Sequence, residues 1–190
     1  MFLTGDNEQR FVQRLKDGNR DAAQELYTRY GPILAGVCSR YIADEEDIKD
    51  VFQNALLSIL THISDFHYRA DGSLMAWAKK VVVNESLKFL KKNRPHELLE
   101  CADDVVDDDT DSADPVFSDI PPDIIQEMLS QLPTGYRTVL NLYVFEDMSH
   151  QEIAQLLGIS RNGSASQLHR AKKMLKRMIR MYNETNSRRQ

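Results

Sequence analysis

Met148-Ser149-His150-Gln151-Glu152-Ile153-Ala154-Gln155-Leu156-Leu157-Gly158-Ile159-Ser160 is the stretch whose reading decides the fold. Ser149 followed three residues later by Glu152 is the pattern of a capping box, in which two side chains reciprocally satisfy orphan backbone N–H groups. Ile153, Ala154, Leu156 and Leu157 recur at the spacing of one helical face. Gly158 suits a helix end at positive φ, a conformation that a side chain resists. Ile159 can plug the core between two helices, and Ser160 can cap a second helix running to about Tyr182. A short helix, a glycine turn and a longer helix form the pattern of a DNA-binding helix-turn-helix, with an ordinary helical hairpin as the alternative.

The second helix favours the DNA-binding reading. Leu168, Ala171, Leu175, Met178 and Ile179 fall at core spacing, and among them stand Gln167, His169, Arg170, Lys172, Lys173, Lys176, Arg177 and Arg180. No acid occurs from Arg161 to Asn183. A solvated helix usually mixes both signs, whereas a helix of one sign suits a polyanion. The first turns of such a helix enter the major groove. That points to Asn162, Ser164, Ala165, Ser166, Gln167, His169 and Arg170, with Lys173 a turn further on.

The chain has 190 residues and a formal net charge of −5, which by itself argues weakly against a nucleic-acid binder. The charge is segregated. Residues 1–96 carry a net +1, residues 97–119 a net −10 with no basic residue, and residues 120–190 a net +4. The middle segment therefore reads as a flexible acidic linker, since like charges repel and offer little to bury. Two cysteines, Cys38 and Cys101, suit reduced thiols in a cytoplasmic protein. No apolar run approaches a membrane span, and the start lacks a signal-peptide pattern. There is no metal-ligand spacing, phosphate-binding loop or nucleophile elbow, so neither an enzyme nor a cofactor is expected.

Residues 1–96 read as helical throughout. The spacing predicts a helix over 7–17 and a break at Gly18-Asn19. Asp21 then caps a helix with Ala22, Leu26, Tyr27 and Tyr30 on one face, which Gly31-Pro32 interrupts. A third begins at Asp44 and continues to His62 or Ile63. Residues 64–73 form a loop rich in aromatics, and Ser73 caps a helix from Leu74 to about Lys92, ended by Pro95. An aromatic loop beside a basic helix carrying Trp77 and Lys80 offers stacking faces and cations for unstacked single-stranded bases; core aromatics with a solvated lysine face are the plainer alternative. Pro121-Pro122 opens the last domain. One helix there carries Ile124, Ile125, Met128, Leu129 and Leu132. After Pro133 the next carries Tyr136, Val139, Leu140, Leu142, Tyr143 and Phe145. The tail from Asn183 is expected to fray. The architecture expected is all-α: two helical domains joined by the acidic linker, the C-terminal one a helix-turn-helix.

Two motif sets in the right order resemble bacterial sigma factors of the extracytoplasmic-function (ECF) group. The first comprises Leu26-Tyr27, Arg29-Tyr30, Asp50-Val51, Gln53, Phe66, Gly72-Ser73, Trp77 and Asn84. The second comprises Leu132-Pro133, Tyr136-Arg137, Val139-Leu140, Leu142-Tyr143, Glu146, Ser149, Glu152-Ile153-Ala154, Leu157-Gly158-Ile159-Ser160, Ser166, Leu168, Arg170-Ala171 and Leu175. The resemblance implies a two-domain promoter-specificity subunit of RNA polymerase. Residues 1–96 would be sigma domain two, which docks on the polymerase clamp helices through Asp47, Asp50 and Gln53. The same domain would open and read the −10 element with Tyr68, Arg69, Trp77, Lys80 and Asn84. Residues 120–190 would be sigma domain four, reading the −35 element and touching the polymerase flap. Core polymerase, promoter DNA and an anti-sigma factor are the implied partners, without membrane insertion. Lys49, Asn54 and Leu56 depart from the usual docking motif, and Asn162-Gly163-Ser164-Ala165 from the usual start of the recognition helix. The competing reading is a one-component transcriptional regulator, which would need an effector pocket in residues 1–96.

Overall fold

The computed structural model describes residues 5–99 and 120–187; most of the acidic segment, residues 100–119, lies outside them, and Cys101 with it. The described residues form helices, turns and loops without a strand, in agreement with the all-α expectation. They divide into two compact units, Met1–Leu90 and Lys91–Gln190.

In the first unit α1 spans Gly5–Lys16, α2 Arg20–Ser39, α3 Glu45–His62 and α4 Ser73–Asn93, whose last turn lies past the division between the units. Gly18 turns the chain at φ 71°. Asn19, not Asp21, caps α2: its side chain accepts from Ala22 N at 2.9 Å. The expected interruption at Gly31-Pro32 does not occur, because α2 runs through both. A proline inside a helix costs about 3 kcal/mol. The apolar row Leu26, Tyr30, Leu34, Val37 and Cys38, buried on both sides of it, outweighs that cost, each full burial contributing about 1.5–3 kcal/mol. Tyr27 leaves the expected core face; it is exposed, its ring 6.2 Å from that of Phe52. Asp44, where the third helix is expected to begin, is its N-cap, accepting from Glu46 N and Asp47 N at 3.0 Å each. Phe11, Val12 and Leu15 of α1 close one side of the core, with Phe11 stacked on Tyr30 at 5.9 Å.

The second unit holds α5 (Pro95–Leu99), α6 (Pro122–Ser130), α7 (Thr134–Val144), α8 (His150–Leu157) and α9 (Arg161–Ser187). Helix α7 is its axis, buried continuously from Thr134 to Leu142. Tyr143 and Phe145, assigned to the same helix from the sequence, are exposed at its end. Arg137 is buried and closes the C-terminus of α6, donating to the Ser130 carbonyl at 2.7 Å and the Leu132 carbonyl at 3.4 Å. Burial pushes its pKa down and nearby Arg94 adds to that, while Glu97 opposes both. The first residues of the expected linker are not tether. Helix α5 packs on α7, Leu98 is buried and Thr134 donates to Glu97. Gly135 allows this approach: a Cβ there would stand 3.0 Å from the Glu97 carbonyl oxygen and 3.1 Å from that of Leu98. Helix α9 also continues past Tyr182 to Ser187, where fraying was expected.

Candidate nucleic-acid interfaces

The helix-turn-helix is built locally. Ser149 Oγ accepts from Glu152 N at 3.3 Å, and Glu152 Oε2 accepts from Ser149 N at 2.8 Å. The Ser149 hydroxyl, donating to Glu152 Oε2 at 2.7 Å, and then the Ser149 N–H hold the Glu152 carboxyl below the usual carboxylate range. Gly158 ends α8 at φ 72°, and Ser160 Oγ caps α9 by accepting from Gly163 N at 2.8 Å. Ile153, Ala154 and Leu157 of α8 meet Leu168, Ala171 and Leu175 of α9 in the core, while Ile159 is half-buried.

Two expected −35 contacts face the wrong way. Ser164 and Gln167 are both 0% exposed. Ser164 Oγ is hydrogen-bonded to His150 Nδ1 at 3.0 Å, and Gln167 Nε2 donates to the Leu98 carbonyl at 3.3 Å. The physical reason is helical register. Residues 164, 168, 171 and 175 lie on one face, and 167 borders it, so these polar groups sit with Leu168 and Ala171. Their type suggested groove contacts; their spacing from Leu168 and Leu175 was the signal against it. Asn162, Ala165, Ser166 and His169 do line the exposed face. Arg170 is half-buried and donates to Tyr136 Oη at 3.3 Å, while Lys173 is half-buried. His150, which no sequence motif singles out, ties α8 to α9 and stacks on Tyr143 at 5.0 Å. Arg161, likewise singled out by none, is exposed at the first position of α9.

In the first unit the loop between the 3-10 turn Ile63–Asp65 and α4 displays Tyr68 and Arg69. Phe66 is buried with its ring 5.2 Å from Trp77, which is half-buried and therefore belongs partly to the core. Tyr68 is half-buried and donates to Asp71 Oδ1 at 2.8 Å; Arg69 is exposed. Lys80 and Asn84 are exposed, and residues 77, 80 and 84 share one stripe of α4. Asp47 is half-buried and Asp50 and Gln53 exposed on α3. Leu57, 63% exposed, and Leu60 continue that stripe at helical spacing, an apolar extension that the polar motif alone did not reveal.

Among the described residues no cluster of three or more His, Cys, Asp or Glu side chains can hold a metal ion, and no helix is long and apolar enough to cross a membrane. Burial pushes the Cys38 thiol up, partly offset by the Ser86 hydroxyl bonded to its sulfur.

A helix-turn-helix whose recognition helix carries no acid from Arg161 to Asn183, joined in one chain to a helical unit displaying an aromatic loop beside Trp77, Lys80 and Asn84, defines a nucleic-acid-binding protein. The family models narrow this: residues 26–96 match "Sigma-70 region 2" and residues 123–175 match "Sigma-70, region 4". The chain belongs to the sigma-70 family, in its ECF group. It is 24% identical to the RNA polymerase sigma-H factor of Pseudomonas aeruginosa over 188 residues, covering 94% of this chain and 96% of that one. It is 26% identical to the ECF RNA polymerase sigma-E factor of Haemophilus influenzae, covering 90% and 95%. The solved structure of CnrH in complex with the cytosolic domain of CnrY superposes with a TM-score of 0.47 at 21% identity, covering 90% of this chain and 96% of that one.

Proposed function

We infer that the protein is a sigma factor that binds core RNA polymerase and directs promoter-specific initiation by reading −10 and −35 elements. The observation that carries this is the occurrence of both sigma-70 regions, in order, on one chain. The protein supplies binding free energy and selectivity, and bond formation belongs to the polymerase. The one-component regulator is not favoured, since the region 2 match occupies residues 26–96, where that reading needs an effector pocket.

The division of labour assigns residues 1–96 to core docking and the −10 element, 97–119 to the connection and 120–190 to the −35 element, with Glu97–Leu99 anchored to the second unit. Asp47, Asp50 and Gln53, extended by Leu57 and Leu60, form the face for the clamp helices: apolar contact for affinity, polar groups for register. Tyr68, Arg69, Trp77, Lys80 and Asn84 meet the melted −10 strand, where stacking is worth about 1–3 kcal/mol per base and offsets unstacking. Asn162, Ala165, Ser166 and His169 face the −35 major groove, with Arg170, Lys173 and Arg161 serving phosphates and flanking edges. The exposed Tyr143-Val144-Phe145 run supplies an apolar surface for the polymerase flap. An anti-sigma factor covering these docking faces is the expected antagonist, and the site of action is the cytoplasm. Reconstitution with core polymerase on a fragmented genome, followed by mapping of RNA 5′ ends, tests the reading. Starts that share two upstream elements at fixed spacing support it; failure to copurify with core polymerase or to create new starts refutes it.

A further inference from the structure

We propose that α1 is the template that sets the shape of the −10 reading loop, and that Glu8 is its positioning residue. Glu8 lies outside the residues matched by either sigma-70 region. It is nevertheless 3% exposed, which for an acidic side chain demands dedicated partners. Both of its oxygens have one: Oε2 accepts from Gly72 N at 2.8 Å and Oε1 from Leu74 N at 3.0 Å. These are N–H groups at the start of α4, of the kind that a helix leaves without an internal acceptor. The sequence predicts a local cap by Ser73, but Ser73 is the first helical residue and its Oγ accepts from Arg69 N at 3.4 Å. The cap is thus delivered from α1, 64 and 66 residues away in sequence.

The same helix grips the other end of the segment. Lys16 Nζ donates to the Ser64 carbonyl at 3.2 Å, and α1 packs along the 3-10 turn that leads into the loop. Glu8 and Lys16 are eight positions apart, about 12 Å along a helix. One rigid element therefore fixes both the entry and the exit of the loop. Between those points Phe66 is pinned against Trp77, and Tyr68 and Asp71 are tied together by their side chains. Gly72, at φ 83°, makes the final bend that lets its N–H reach Glu8. The loop presents half-buried Tyr68 and exposed Arg69. A reading loop whose contacts are held in place before binding loses less free energy to ordering and discriminates bases more sharply. The inference rests on the assignment of this loop to the −10 element.

The test uses the full chain and its holoenzyme. In the free wild-type protein the Gly72 and Leu74 amides should be protected from hydrogen exchange. In Glu8→Gln, which keeps size but offers one acceptor oxygen instead of two, exchange there should rise by about tenfold or more, with amides of α2 and α3 unchanged. In holoenzyme, Glu8→Gln should reduce discrimination between the cognate and a base-substituted −10 element severalfold. Core binding and discrimination at the −35 element should stay as in wild type, which a general loss of stability would not spare selectively. Lys16→Ala should act in the same direction with a smaller effect. Unprotected Gly72 and Leu74 amides in the wild type overturn the proposal whatever the variants do. So does increased exchange in Glu8→Gln with −10 discrimination intact, provided Tyr68→Ala lowers it. If Tyr68→Ala and Arg69→Ala also leave −10 discrimination intact, the loop does not read that element, and both the assignment and this inference fall.

Discussion

Gln167 is where residue type and residue position part company. A glutamine two turns into a recognition helix suggests an adenine contact, yet this one is buried and holds the Leu98 carbonyl. Gln167→Ala should therefore act on stability: it leaves a buried carbonyl without that donor and opens a cavity, a cost of about 1–3 kcal/mol. His169→Ala, on the exposed face, should leave stability unchanged and weaken binding to a −35 duplex by about 1–3 kcal/mol. Urea denaturation and fluorescence anisotropy on the two variants separate these effects; the opposite pattern would reverse the assignment of the helix faces. Cys38 gives a second residue-scale prediction. Its folded thiol is pushed above the ordinary value near 8.5, mainly by burial. The unfolded chain thus releases this proton first. The contribution to stability is complete below the unfolded value and is lost as pH rises through the folded one. The urea midpoint should fall more steeply as pH rises past the unfolded value of about 8.5 in the wild type than in Cys38→Ala; equal slopes would show that this thiol does not drive the loss.

At the scale of elements, what was legible in the sequence is what is encoded locally. The cap, turn and apolar face of α8 all lie within Ser149–Gly158, so the sequence alone predicts them and the structure reproduces them. The start of α3 at Asp44 is legible for the same reason. Helix α2 misleads because the break signal Gly31-Pro32 is local whereas the burial that overrides it is tertiary. Helix α5 escapes because its partners, Thr134 and Gln167, lie 37 and 69 residues away. Of the candidate sites, residue types were readable, but the faces of α9 required the register of its apolar row. The local encoding of α8 carries a prediction. Ser149→Ala should destabilise the second unit by about 1 kcal/mol. The Glu152 carboxyl lies below its ordinary range, so its contribution is present above the unfolded Glu value and lost as pH falls through the lower folded one. Thermal melting should accordingly show the difference between Ser149→Ala and wild type shrinking below about pH 4. A pH-independent difference would mean that the carboxyl contributes nothing.

For the whole molecule, the acidity is concentrated in residues 97–119, which contain no basic residue and carry a net −10 between segments of +1 and +4. A polyanion tethered in the same chain as a basic recognition helix would compete with DNA at a high effective concentration. Replacing Asp103, Asp104, Asp107, Asp108, Asp109 and Asp111 by Asn should tighten binding of the free protein to any duplex at low salt. The difference should vanish as the screening length falls below about 10 Å. Identical salt titrations of both proteins would reduce the segment to a spacer. The docking face carries a complementary prediction. Asp50→Ala with Gln53→Ala should weaken core binding while leaving circular dichroism unchanged, because both side chains are exposed on α3 and the buried residues Val51, Ala55 and Ile59 keep the helix in place. Full core binding by the helical double variant would remove these residues from the interface. The most direct measurement is run-off transcription by core polymerase, with and without the protein, on one mapped promoter whose −10 and −35 elements are scrambled separately. The two-element account predicts a specific transcript only with the protein present, lost or strongly reduced when either element is scrambled. A transcript independent of the protein, or one that survives loss of the −10 element, would contradict it.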